Sequence, residues 1–286
     1  MKMKKLLALV SGLLLVGLVL TGCGNSASSK SSDSKETTSA LDKIKDRGKL
    51  KVAVFGDLSP YGYVDGEGEH QGYDIYLAKR LAKDLLGSED KIEYVTVNAE
   101  ERVDALKSNK VDLVLANFTK TPEREKVVDF SDPYMKVAIG VVSPKSAAVT
   151  DAKDLDGKKL IVTKGTTAET YFTKEHPDVN LEKYESKSQQ FQALTDGRAD
   201  ALADDNSYLY AWVKENPDFE VGIKEIGEVS TINPAVKKGN KELLNWVNDE
   251  LETLSADGFF EQAYEETLAP FFGADIEAKD IIATND

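Results

Sequence analysis

Residues 50–55, LKVAVF, form a short apolar run, and residues 73–86, YDIYLAKRLAKDLL, follow them with a different period. The first reads as a short buried strand. In the second, Ile75, Ala78, Leu81, Ala82 and Leu85 recur at helical spacing, and Gly87 supplies a stop. Working outward, residues 92–97 alternate apolar and polar as a half-buried strand does, residues 100–107 look helical, and residues 111–116 are again an apolar strand. Strand–helix alternation predicts βαβ units and a parallel sheet.

A second set of the same kind follows. Residues 136–142 read as a strand between Pro133 and Pro144, 159–163 as a strand, 168–174 and 189–195 as helices, and 199–203 as a short strand. The tail is helical over 241–254, with apolar spacing at Leu243, Leu244, Val247, Leu251 and Leu254, and again over 259–264. No internal repeat is visible at the level of sequence. Two α/β sets in one chain predict an α/β protein of two lobes with a cleft between them. Ligands of open α/β sheets bind beyond the carboxyl ends of strands, so the loops there are the candidates for chemistry.

Composition narrows the function. The 286 residues carry 36 basic and 50 acidic side chains, a net charge of −14. Such a chain is not built for nucleic acid, which needs clustered Lys and Arg. Hydrophobic residues make up 41%, enough for a sizeable core. The single cysteine, Cys23, excludes an intrachain disulfide and a multi-thiolate metal site. The two histidines, His70 and His176, are far apart, which argues against a zinc enzyme. No metal or other cofactor is expected.

The first forty residues read as address and tether. Three lysines in residues 1–5 precede a nearly unbroken apolar run over 6–20, the length of a secretory signal core and too short for a comfortable membrane span. The run ends in Leu20-Thr21-Gly22-Cys23, which resembles a bacterial lipobox, with cleavage before Cys23 and lipid on its sulfur. Loss of residues 1–22 removes three lysines and no acids, which takes the net charge from −14 to −17. Residues 24–40, rich in Ser, Thr and small residues, read as a flexible tether. Residues 1–22 are thus expected to be a signal peptide, and 23–40 a lipidated cysteine with its tether. The lipobox implies a diacylglyceryl group, and two acyl chains anchor stably where one does not.

Three loops can hold a ligand. After residues 111–116 come Asn117, Thr119, Thr121, Pro122 and Arg124, where an arginine fork can grip a carboxylate with two parallel hydrogen bonds. After 159–163 come Lys164-Gly165-Thr166-Thr167 and a helix start, where freed N–H groups and a positive dipole end favour an anion. After 199–203 come Asp204-Asp205-Asn206, whose carboxylates can accept from an ammonium. Each also has a plain structural reading, as a capped helix or a solvated charge. Taken together, an arginine and a helix N-terminus closing on one carboxylate, with a second carboxylate beside them for an amino group, describe a zwitterion receptor.

The lipobox, GYDIYLAKRLA (72–82), the ANFTKTPER…VDFSDPY stretch (116–134), KGTTAE (164–169) and GRADALADD (197–205) resemble family 3 solute-binding proteins of polar amino-acid ABC transporters, with the aspartate/glutamate-binding members nearest in pattern. The resemblance spans residues 41–275. It implies a two-lobed periplasmic-binding-protein fold of type II, with no enzymatic activity. The protein would be a lipid-anchored receptor that closes on an acidic amino acid and presents it to an ABC permease, monomeric and on the outer face of the membrane. Alternatives are a binder of another polar amino acid (glutamine, asparagine or a cysteine-derived ligand) and an enzyme on the same fold, of the cyclohexadienyl dehydratase kind. Lobe 1 would comprise 41–136 and 231–286, and lobe 2 137–230, with crossings near Met135–Val137 and Ser230–Ile232.

By the same resemblance Arg124 grips the ligand α-carboxylate, and Asn117 and Thr119 contribute from its loop. Thr166 and Thr167 add donors from the facing lobe, Asp205 takes the α-ammonium, and Tyr61 lies against the ligand. Arg102, twenty-two positions before Arg124, matches the arginine that acidic-amino-acid binders use for the second carboxylate. Some of those binders carry a further arginine after the first strand, and residues 55–59, FGDLS, hold no cation. Lys164 or Lys187 would have to supply one, or Arg102 acts alone; as isolated side chains, both lysines read as surface residues.

Overall fold

The structure, a computed structural model, describes residues 39–272 and 276–283. Cys23, the signal segment and nearly all of the tether lie outside the described residues.

The first half runs α1 (Ala40–Arg47), β1 (Leu50–Val54), β2 (Asp57–Leu58), β3 (Gly62–Val64), β4 (His70–Gln71), α2 (Tyr73–Leu86), β5 (Ile92–Thr96), α3 (Arg102–Lys107), β6 (Leu113–Val114), α4 (Pro122–Glu125) and β7 (Val128–Phe130). The second runs β8 (Met135–Pro144), β9 (Lys159–Thr163), α5 (Thr167–Glu175), β10 (Asn180–Tyr184), α6 (Lys187–Thr195), β11 (Ala201–Asp205), α7 (Asn206–Glu215) and β12 (Phe219–Ile232). The chain then continues as β13 (Ala235–Lys237), α8 (Lys241–Ala256), α9 (Phe259–Thr267) and α10 (Ala278–Ile281).

Two five-stranded sheets result, ordered β5-β1-β6-β13-β7 and β10-β9-β11-β8-β12, with β2, β3 and β4 forming a small third sheet. The chain passes from the first sheet to the second between β7 and β8, and returns between β12 and β13. The expectation of purely parallel sheets is corrected. β1 runs parallel to β5 and β6, and β9 to β10 and β11. However, β13 is antiparallel to β6 and β7, and β8 to β11 and β12. The cause is the double crossing. A strand that re-enters the first sheet from the other lobe arrives from the opposite end. The two crossing strands pair with each other, Met135 opposite Ile232 and Val137 opposite Ser230, with register shifts along the pair.

The helix over 73–86 forms where the apolar spacing places it. Its inward residues Ile75, Ala78, Leu81 and Ala82 are all buried, packed toward β1. Each such side chain stabilises the fold by about 1.5–3 kcal/mol where it is large. The helix starts at Gly72, whose φ is +111°. A Cβ there would fall 2.4 Å from the Tyr61 carbonyl oxygen, so the hairpin and the helix meet only through a glycine. The five apolar positions of α8 are likewise buried.

Two strand boundaries differ from the sequence reading, and both bear on the site. Of residues 111–116 only Leu113–Val114 form a ladder, because the chain turns away at Asn117, which has φ +44°. Asn is one of the few residues that tolerate that region. The strand expected over 199–203 instead spans Ala201–Asp205, so Asp204 and Asp205 end a buried strand rather than sit in a loop.

Candidate functional site

The carboxyl ends of β1, β6, β9 and β11 converge where the two sheets face each other. The small cavity there, about 10 Å³, is lined by Phe55, Arg102, Asn117, Thr119, Arg124, Thr166, Thr167, Lys187 and Asp205. That is room for about one water, so entry of a larger molecule requires the lobes to part.

The two arginines differ in what they have left to give. A guanidinium has five N–H donors. Arg102 is buried and gives one N–H each to the carbonyls of Ala99 (2.8 Å), Ala116 (3.0 Å), Asn117 (3.0 Å) and Gly165 (3.0 Å). One donor remains. Arg124 gives one to Thr119 O (2.6 Å) and one to Gly165 O (2.8 Å), which leaves three. Arg124 is therefore the fork that can take a carboxylate, and Arg102 is mostly a brace for the main chain. Both lie against the Phe118 ring, with Cζ 4.4 Å and 4.8 Å from its centroid. Burial pushes Arg124 down to about 10, and burial together with the Arg124 charge pushes Arg102 down; guanidinium groups stay protonated at neutral pH all the same.

Gly165 belongs to the second lobe, yet its carbonyl accepts from both arginines of the first. Its φ is +75°, and an added Cβ would meet Glu100 N and Cα at 2.7 Å. The lobes thus touch backbone to backbone there. Further bonds cross the seam beside it: Ser188 N–H and Oγ donate to Asp57 Oδ2 (3.0 and 3.2 Å), and Asn117 Nδ2 donates to Asp205 Oδ2 (2.8 Å).

Asn117 is the centre of a buried relay. Its N–H donates to Asp74 Oδ2 (2.9 Å), while Tyr134 Oη donates to Asp74 Oδ1 (2.6 Å). Its side-chain oxygen Oδ1 is buried without a partner. A buried acceptor left bare costs about 1–3 kcal/mol, so one beside the Asp205 carboxylate marks a place for a donor, and two acceptors together suit an ammonium. Burial pushes Asp74 up to about 7, against the hydrogen bonds from Tyr134 and Asn117 and the Arg102 charge. Burial and the neighbouring Asp204 also hold Asp205 above the usual carboxylate range, opposed by Lys187 and the two arginines.

On the facing lobe, Thr166 is the N-cap of α5; its hydroxyl accepts from Glu169 N–H (3.2 Å) and donates to Thr163 O (2.6 Å). That hydroxyl is committed to local structure. Thr167, the first residue of α5, lines the cavity at the positive end of the helix.

Two readings of side-chain position change, those of Tyr61 and Lys187, while Lys164 keeps its surface reading and loses its candidate ligand role. Tyr61 lies in the core of the first lobe and off the cavity wall, because the turn that bonds Tyr61 N–H to Leu58 O folds it inward; Phe55 provides the aromatic surface instead. Lys164 points away from the cavity and pairs with Glu185 at 3.0 Å, since Thr163 takes the inward position at the end of β9. Lys187 is not a surface residue: it is 3% exposed, and its ammonium bonds both oxygens of Asp204 at 2.8 and 2.6 Å. Sequence reasoning missed Phe55. Its place just past the end of β1 was the available signal. A wider groove of about 830 Å³ runs beside β8, β12 and α7, but the buried charges converge on the small cavity. Among the described residues no group of His, Cys, Asp and Glu is placed to hold a metal ion.

Two α/β lobes joined by two crossing strands, with buried charges meeting at their seam, define a type II periplasmic-binding-protein fold. Residues 50–269 match the model for bacterial extracellular solute-binding proteins, family 3, and the chain belongs to that family. It is similar to the glutamine-binding protein of an ABC transporter in Bacillus subtilis, 31% identical over 271 residues, covering 93% of this chain and 98% of that one. It is also similar to two solved structures. One is a solute receptor for L-cysteine of Neisseria gonorrhoeae, with TM-score 0.84 and 52% identity over 85% of this chain and 99% of that one. The other is a cysteine-binding protein from Campylobacter jejuni, with TM-score 0.85 and 51% identity over 86% of this chain and 100% of that one.

Two outcomes follow from this geometry. Gly165→Ala should block approach of the lobes at Glu100 while leaving each lobe folded. Small-angle scattering should show a more open average shape than the parent, and a shape identical to the parent's would show that the seam yields. The second outcome concerns pH. Asp74 has an unfolded value near 3.9 and a folded value of about 7, so its contribution is full below about pH 4 and is lost as pH rises through 7. Unfolding free energy of the ligand-free protein should therefore fall by roughly 1–4 kcal/mol between pH 4.5 and 7.5. The slope should flatten in Asp74→Asn, whatever that variant's absolute stability. An unchanged slope in the variant would remove Asp74 as its source.

Proposed function

We propose that this protein is a lipid-anchored extracytoplasmic receptor that binds L-cysteine between its lobes and delivers it to an ABC importer. The observation that carries the reading is the small enclosed cavity that sets a free arginine fork, Arg124, and the start of α5 against the paired acceptors Asp205 and Asn117 Oδ1. Those groups match an α-carboxylate and an α-ammonium, and a cavity this small favours a short side chain over a long one. The two cysteine receptors, each more than half identical in sequence and matched over most of this chain, support the choice of ligand.

The acidic-amino-acid reading rested on Arg102 as the second cation. With four of its five donors on main-chain carbonyls, Arg102 can offer a side-chain carboxylate one N–H and no fork. A cysteine-derived ligand was among the alternatives, and the two cysteine receptors support cysteine itself. Catalysis on this fold would need a titrating acid at the cavity. Asp74 sits behind Asn117 and off the wall, while Asp205 lies on the wall with its carboxyl held above the usual range and bonded by the Asn117 amide, so product analysis decides between receptor and enzyme. The anchor is read from Leu20-Thr21-Gly22-Cys23 alone.

Calorimetry under reducing conditions against L-cysteine, L-cystine, serine, glutamine, arginine, aspartate and glutamate tests the ligand, with product analysis of each mixture. L-cysteine should bind at least about tenfold more tightly than the rest and be recovered unchanged. Asp205→Asn should weaken binding on the order of 30-fold or more, since truncating one partner of a buried charge pair costs about 2–5 kcal/mol. Tighter binding of aspartate or glutamate would restore the acidic reading, and turnover would replace the receptor with an enzyme. For the anchor, Cys23→Ser should move the protein from the membrane fraction to the soluble fraction with ligand affinity intact. Continued membrane association would count against lipidation.

A further inference from the structure

Lys187 and Arg102 are the charged groups on the cavity wall that the proposed ligand contacts leave out. Lys187 is the first residue of α6, capped by Ser186, so the positive end of that helix lies beside it. Its ammonium has three N–H donors and spends two on Asp204. With the α-carboxylate on Arg124 and Thr167, and the α-ammonium on Asp205 and Asn117, a ligand side chain faces what remains of the wall: Phe55, Arg102, Thr119, Thr166 and Lys187, of which Thr166 has its hydroxyl committed to local bonds. Arg102 is nearly spent on main-chain carbonyls. Each of the two cations keeps one donor, and Lys187 is the compact charge that sits at a helix start.

We propose that Lys187 reads the ligand side chain and that L-cysteine is held as its thiolate, an inference that rests on the cysteine-receptor reading above. An ordinary cysteine thiol has a pKa near 8.5, so only about 3% is thiolate at pH 7. A neighbouring ammonium and a helix N-terminus favour the ionised form. Binding then breaks the S–H bond, leaves the electron pair on sulfur and passes one proton to the buffer. Serine has no group that ionises in this range and cystine has no thiol, so the device separates cysteine from its nearest look-alikes by charge rather than by size.

The charges around Lys187 are compatible with this. From β11 come Asp204, bonded to it, and Asp205; from α7 comes Tyr208, whose ring centroid is 5.8 Å away and whose hydroxyl burial keeps neutral. Arg102 and Arg124 face it from the other lobe, and Asp57 of β2 is bonded to the adjacent Ser188. Three cations against Asp204 and Asp205 leave the wall one positive charge in excess, which a zwitterion does not change and a thiolate cancels. Asp74, behind Asn117, titrates in the same pH range, so the test needs a ligand that shares every group except the thiol.

That ligand is alanine. The ratio of L-cysteine to alanine affinity, measured by competition from about pH 6 to 7.5, should rise about tenfold per pH unit, with Asp74 and Asp205 cancelling in the ratio. A thiolate ultraviolet band should appear in the difference spectrum when cysteine is added. Lys187→Gln should abolish the band and lower cysteine affinity on the order of 30-fold, with alanine nearly unaffected. The double variant Lys187→Gln/Asp204→Asn, which leaves no buried carboxylate unpaired, should behave the same way. Cysteine bound without a thiolate band, at a ratio flat in pH, would overturn this inference and leave the receptor reading standing. Failure of cysteine to bind the parent protein at all would overturn both.

Discussion

The carbonyl oxygen of Gly165 is held by two arginines that belong to the other lobe, and most of the site depends on that contact. It fixes how near the lobes come, since only a glycine lets the backbone press against Glu100. It takes one donor from each arginine, and carbonyls of the first lobe divide their remaining work. Arg102 spends itself on four carbonyls and braces the loop, while Arg124 keeps a free fork on the cavity side.

The other end is set from behind. Asp74, at the start of α2, receives the N–H of Asn117 and holds it in the left-handed region. Asn117 then reaches Asp205 across the seam and leaves its own oxygen bare beside it. A carboxyl buried with only hydrogen-bond partners is costly to ionise, which is why Asp74 is pushed toward neutrality. The GYD sequence at 72–74 thus contributes twice: the glycine admits the hairpin to the helix start, and the aspartate orients the ligand loop.

Much of this was legible in the sequence. The helix at 73–86 and the strand at 159–163 came out at their observed bounds because period and punctuation agree there. Arg124, Asn117, Thr119, Thr167 and Asp205 line the cavity because strand ends in α/β folds are where loops gather. What failed was direction. A linear pattern cannot show that β13 re-enters the first sheet from the far side, so the antiparallel strands were missed. Nor can it show which neighbour of a strand end turns inward, which decided Thr163 over Lys164, and Phe55 over Tyr61. Lys187 read as a surface lysine because its partner Asp204 is seventeen residues away and only the fold brings them together. The family resemblance pointed to Arg102, which lies on the cavity wall, but its role depends on main-chain carbonyls that no side-chain pattern reveals.

The central claim is that one carboxylate end and one ammonium end, built by different lobes, close on a short zwitterion. A crystal structure of the protein grown with L-cysteine under reducing conditions tests it most directly. The account predicts closed lobes with the α-carboxylate on Arg124 and the start of α5, the ammonium on Asp205 and Asn117 Oδ1, and sulfur toward Phe55 and Lys187. A ligand bound the other way round, or seated away from the seam with the Gly165 contact broken, would contradict it.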